Sequence, residues 1–171
     1  MRYLAVLLLF LAGTAHAVGG YKGLKFGASK AEVMAVPWCE FIEQPSDGGG
    51  VDMLWCYDFK FGGEESLVIA YLINDKFFRL AVDVDTSMVS AVLDGLVEKY
   101  GAPSSSSTQP EFALLDSAPS RSAFMSFDDD TVQVRMRSDE SMQQFMMLVY
   151  TSPLFDSLRT SLQKNRIEGD L

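Results

Sequence analysis

Residues 51–84 constrain the fold of this chain most. Val51 to Phe61 and Phe77 to Val84 alternate in polarity with a period of two, and the apolar run Leu67 to Ile73 between them reads as a second strand. Gly62-Gly63 separates the first pair of segments and Asn74-Asp75-Lys76 the second. Successive side chains of a strand point to opposite faces, so the pattern predicts an antiparallel meander with one face buried. In the first segment Met53, Trp55, Tyr57, Phe59 and Phe61 share one side. Leu54, Cys56, Asp58 and Lys60 share the other. Asp58 and Lys60 want water, and an antiparallel sheet needs only one covered face. The expectation is an aromatic row in the core, with Cys56 on the wetter side near a rim. If exposed instead, Trp55, Tyr57 and Phe59 form a platform for a partner. In the third segment Phe78, Leu80, Val82 and Val84 share a face, opposite Arg79 and Asp83.

Helix signals surround the meander. Ser29-Lys30-Ala31-Glu32 is a capping box, in which serine and glutamate satisfy each other's backbone donors, and Pro37 stops the short helix. Val89, Val92, Leu93, Leu96 and Tyr100 recur at helical spacing after Asp85 or Thr86, and Gly101 and Pro103 end that helix. Ala102 to Pro110 reads as an exposed loop, and Ser46 to Gly50 as a turn. Ala123 to Phe127, Thr131 to Arg137 and Met142 to Tyr150 read as strands. Ser152-Pro153 opens a closing helix with the stripe Leu154, Phe155, Leu158 and Leu162, its tail frayed after Gln163. A helix followed by three strands thus occurs twice. The predicted fold class is α+β, an antiparallel β-sheet with about three helices packed mainly on one face.

The amino terminus sets the compartment. Arg2, the uncharged run Leu4 to Leu11 and Ala15-His16-Ala17 form a secretory signal peptide over residues 1–17, cut after Ala17. Residues 18–171 are then one domain, periplasmic or secreted. Leu11-Ala12-Gly13-Thr14 has threonine where a lipid-carrying cysteine would stand, and no later stretch has transmembrane length, so no membrane anchor is expected. Cys39 and Cys56 are the two cysteines. In an oxidising compartment they predict one disulfide, which stabilises by about 3 kcal/mol through chain entropy. The formal charge of −9 opposes nucleic acid and anionic lipid.

Catalytic equipment is sparse. Cleavage removes His16, the sole histidine, and with it Ser-His-Asp and Cys-His chemistry. Ser104 to Ser107 has no lysine beside it for a dyad. Asp128-Asp129-Asp130 lacks the spacing of a calcium loop and reads as a turn. Met142, Met146 and Met147 would suit copper, but a strand divides them between faces, which favours packing. No catalytic, cofactor-binding or metal-binding residue is assigned, and no cofactor.

Gly23-Leu24-Lys25-Phe26-Gly27-Ala28-Ser29-Lys30-Ala31-Glu32-Val33 resembles the helix opening of small bacterial envelope proteins, and Leu96-Val97-Glu98-Lys99-Tyr100-Gly101-Ala102-Pro103 resembles their helix ending. Similar segments occur in the SmpA/OmlA outer-membrane assembly lipoproteins and in β-lactamase-inhibitor-like proteins. The resemblance implies an α+β binder without catalytic activity. The expectation is a non-enzymatic exported protein that binds another envelope protein as inhibitor, assembly factor or chaperone. Two alternatives are a carrier of a small apolar ligand and a carboxylate-dependent hydrolase.

Overall fold

The computed structural model describes residues 17–45 and 49–170. The signal peptide read over residues 1–17 lies outside them except for Ala17, as do Ser46 to Gly48 of the expected turn. The chain opens with the hairpin β1 (Gly20–Tyr21) and β2 (Leu24–Lys25), followed by α1 (Lys30–Met34). Then come β3 (Ile42–Glu43), β4 (Val51–Phe61), β5 (Glu64–Ile73) and β6 (Lys76–Val84). A short 3-10 turn leads into α2 (Val89–Tyr100), β7 (Ser105–Ser106) and α3 (Gln109–Leu114). The chain ends with β8 (Ser122–Phe127), β9 (Val132–Ser138), β10 (Gln144–Thr151) and α4 (Phe155–Asp170).

Eight strands form a single sheet in the order β3-β4-β5-β6-β10-β9-β8-β7, antiparallel throughout. Two meanders meet where β6 pairs with β10, with Val82 opposite Leu148. One face holds the core. Leu54, Ala70, Leu80, Tyr150 and Val132 lie in register across it, and Cys56, Val68, Val82, Leu148 and Val134 form the next row; all are buried. Leu24, Val33 and Phe41 from the amino-terminal segment and Leu96 from α2 close over these rows. Burying such side chains contributes about 1.5–3 kcal/mol each against exposure.

The expected start of α1 and end of α2 form for the reasons given, but α1 stops at Met34, ahead of Pro37, and Asp85 caps the short 3-10 turn before α2 and not α2 itself. The Ser29 hydroxyl accepts from Glu32 N at 3.3 Å, and Glu32 Oε2 accepts from Ser29 N at 2.8 Å. Gly101, at φ 83°, ends α2. Gly20, at φ 154°, lets β1 approach β2 closely: a Cβ there would collide with the Leu24 carbonyl oxygen. Tyr21 then enters the core against Tyr150, Trp38 and Phe59. Burial, reinforced by Tyr100, pushes its hydroxyl up to about 12.

The α+β expectation is corrected. Among the described residues about 40% are strand and 27% helix, with four helices rather than three, so the fold is mostly β. Nor do the helices gather on one face. α1 and α2 serve the core face, whereas α4 sets Phe155 against Tyr71 and Arg79 on the other. The physical reason is that the sheet supplies most of the apolar surface that closes the core. α1 spans five residues and α3 six, and α4 is largely exposed.

The face assigned to β4 is also reversed. Leu54 and Cys56 are buried, while Tyr57 is 54% exposed and Trp55 half-buried. Cys56 pairs with Val68 and Phe59 with Ser66, so Tyr57 and Asp58 together face one residue of β5. This β-bulge shifts the alternation by one and turns Phe59 into the core, parting it from Trp55 and Tyr57. Asp58 stays in water and accepts from Glu40 N at 3.0 Å. The Cys39–Cys56 disulfide forms, but it sits inside the core, with Cys39 4% and Cys56 0% exposed, rather than at a wet rim.

Candidate functional site

The face opposite the core is only partly covered. Trp55, Ile69, Ala81, Val149 and Gln133 cross it in register from β4 to β9. On one side of that row stand Met53, Tyr71, Arg79 and Thr151. On the other stand Asp83, Met147, Arg135 and Phe124, followed by Phe145 and Arg137. Trp55 and Tyr57 meet edge to face at 6.1 Å, and the Trp55 indole N–H is buried without a hydrogen-bond partner.

α4 lies against the Tyr71 and Arg79 end. The Arg79 guanidinium stacks over the Phe155 ring at 3.8 Å, and Tyr71 meets that ring edge-on. Arg79 Nε donates to Thr151 Oγ1 at 3.0 Å, and its Nη2 reaches Asp156 at 3.4 Å. Burial lowers the Arg79 pKa; Asp156 opposes this, and Arg135 and Arg159 add to it. A cavity of about 400 Å³ opens there, lined by Val51, Met53, Tyr71, Arg79, Arg159 and Arg166. Beside it a second cavity of about 680 Å³ includes Ile69, Phe124, Arg135, Arg137 and Met147. Tyr71 lines both.

Five of the six arginines among the described residues therefore line two adjoining hollows of one sheet face, in a chain whose net charge is −9. Arginine offers planar paired donors suited to carboxylate or phosphate, and its flat cation stacks on aromatic rings. Arg135 donates to Gln133 Oε1, and Gln133 donates in turn to Ser126 at 2.7 Å. Arg137 lies over Phe145 at 5.3 Å. Chemically, this face suits a partly acidic, partly apolar surface.

Asp83 is the acid among them. Burial raises its carboxyl pKa, with Arg137 pulling the other way. A carboxyl raised in the folded state costs nothing below its unfolded pKa, about 3.9. It destabilises as the pH climbs through the folded value. Asp83→Asn should therefore raise Tm by about 2 °C at pH 7 and leave it unchanged near pH 3. A scanning-calorimetry pH series checks this, and equal shifts at both pH values would contradict it.

The other sequence candidates are engaged in packing or turns. Asp128, Asp129 and Asp130 form the β8–β9 turn at φ 52°, 51° and 66°. Asp130 accepts from Ser104 and Ser105 at 2.8 and 2.7 Å, which lowers its pKa. Met146 is buried, Met147 lies on the opposite face and Met142 sits 51% exposed in the turn before β10. Among the described residues Cys39, Cys56 and Asp58 cluster as a metal site would, but the two sulfurs are already bonded to each other. Sequence reading missed β3, β7 and α3. Thr108 and Glu111 form a capping box around α3 with proline in its first turn, the signal that would have found it. It missed the arginine face because Arg79, Arg135, Arg137, Arg159 and Arg166 come from three elements that only strand register and α4 bring together.

The fold and this face define a class: a mostly β domain built on one eight-stranded antiparallel sheet beside a small hairpin, with one face of the large sheet closed over a disulfide-pinned core and the other left half-open. The chain belongs to a family described as uncharacterised protein, whose model matches residues 21–170. It is 33% identical over 160 residues to an uncharacterized protein of Haemophilus influenzae strain Rd, across 92% of this chain and 90% of that one. No solved structure matches the chain. Neither the family nor the relative supports the resemblance to SmpA/OmlA or β-lactamase-inhibitor-like proteins. Several of the residues that carried it, Ser29, Glu32 and Gly101, serve here as helix ends.

Proposed function

We propose that this chain is an exported, non-enzymatic binding protein that holds an acidic segment of another envelope protein on its half-open sheet face. The observation that carries the reading is the set of five arginines around Tyr71, Phe124, Phe145 and Met147. Aromatic residues, methionine and arginine are the types that dominate protein interfaces. The remaining surface is acidic, which keeps other acidic surfaces away and steers a negative segment to this face. The buried disulfide suits an oxidising compartment, as the amino-terminal signal pattern does.

Arg135 and Arg137 are exposed, so Arg135→Glu with Arg137→Glu should leave folding intact. Binding to the envelope partner captured by the parent protein should fall about tenfold or more, with a flatter salt dependence. Titration calorimetry on the two proteins checks this. Unchanged affinity would overturn the reading, as would native mass spectrometry showing a small apolar molecule bound in the cavity.

A further inference from the structure

We propose that cleavage between Ala17 and Val18 creates an ammonium group that Asp128 captures, so that removal of the signal peptide completes an ion pair in the mature fold. The proposal rests on the export reading above, and its geometry stands apart from the arginine face. Val18 N donates to Asp128 Oδ2 at 2.5 Å across 110 residues of sequence. The same oxygen accepts from Thr131 Oγ1 at 2.6 Å, and that hydroxyl also reaches Asp128 O at 2.7 Å. Asp128 itself sits in the tight β8–β9 turn. The receptor for the nitrogen is thus built by the fold around the carboxylate.

The chain docks from this nitrogen onward. Val18 packs against the core, Gly19 O accepts from Phe26 N at 2.8 Å, and Gly20 pairs with Lys25. Ala17, one residue earlier, is exposed. Among the described residues, packing begins at Val18, directly after the cut expected from Ala15-His16-Ala17.

The chemistry is a hydrolysis by an exported-protein signal peptidase. Water breaks the Ala17–Val18 amide; its hydroxyl goes to the Ala17 carbonyl carbon and its proton to Val18 N. The Ala17 carboxyl then ionises, and the free amine takes up a proton from solution. One neutral amide donor is replaced by a charged donor 2.5 Å from a carboxylate oxygen. The amide already makes a charge-assisted bond to this carboxylate; the ammonium adds attraction between opposite charges.

Intact-mass analysis of the natively exported protein should show a chain that begins at Val18. Four purified chains then test the pair: beginning at Val18 or at Ala17, each with Asp128 or with the Asp128→Asn substitution. Retaining Ala17 restores the amide and moves the charge one residue away, while asparagine keeps an acceptor and removes the negative charge. With Asp128, the Val18 chain should have a folding constant about tenfold above that of the Ala17 chain. In the Asp128→Asn background, the two should agree within about twofold. Equal effects of Ala17 in both backgrounds would overturn the ion pair and leave export standing. An exported chain that begins elsewhere would overturn the cleavage site, and an uncleaved chain would overturn the export reading itself.

Discussion

Phe59→Ala should destabilise the domain by about 3–5 kcal/mol, whereas Tyr57→Ala should cost less than about 1 kcal/mol. The two residues are aromatic, two positions apart, and on one side of an ideal strand. The bulge after Cys56 separates them. Phe59 is 1% exposed, with Trp38 and Tyr21 against its ring and Lys22 Nζ over it at 4.5 Å. Tyr57 touches Trp55 and is otherwise largely in water. Removing Phe59 opens a hole in a core closed on all sides; removing Tyr57 uncovers little. Urea unfolding of the two variants measures the difference. Equal losses would mean that the aromatic row stays on one face and that the bulge is absent.

This contrast shows where the sequence was legible and where it was not. Period-two alternation reveals that β4 has two faces. It does not reveal which is buried when Leu54 and Cys56 compete with Trp55 and Tyr57. The charged pair Asp58 and Lys60 pointed the wrong way because it lies beyond the extra residue, where the phase has shifted. The turns at Gly62-Gly63 and Asn74-Asp75 and the apolar stripe of α2 depend on local chemistry, and they form as the sequence implies. The position of α4 does not. Phe155, Leu158 and Leu162 mark an amphipathic helix, yet nothing local says that its apolar side covers the face opposite α2. The arginine cluster depends on that placement together with the pairing of β6 with β10 and β10 with β9.

Loss of the disulfide is the second large effect. Cys39→Ala with Cys56→Ala should lower stability by about 3–5 kcal/mol. Chain entropy accounts for about 3 kcal/mol of this, for a bridge across 17 residues. The remainder is lost packing, since both sulfurs are buried in the core beside Phe41 and Leu54. The bridge ties the segment after α1 to the centre of β4, so its loss frees the strip that covers the core face. Burial also predicts the kinetics. A reductant should reach the bridge only when the domain opens, so the rate of reduction under native conditions should follow the unfolding rate. Thiol labelling against time measures it, and reduction much faster than unfolding would contradict a buried bridge.

The proposed partner meets the arginine-bearing face and not the face covered by α1 and α2. Site-specific photo-crosslinking in cells tests it most directly, with the reactive group at Phe124 or Arg135 on the open face and at Glu98 on the outside of α2. One crosslinked envelope protein is expected from Phe124 and Arg135, lost with Arg137→Glu and Arg159→Glu, and none from Glu98. The same crosslinks from Glu98, or crosslinks from the open face that survive the charge reversal, would contradict it.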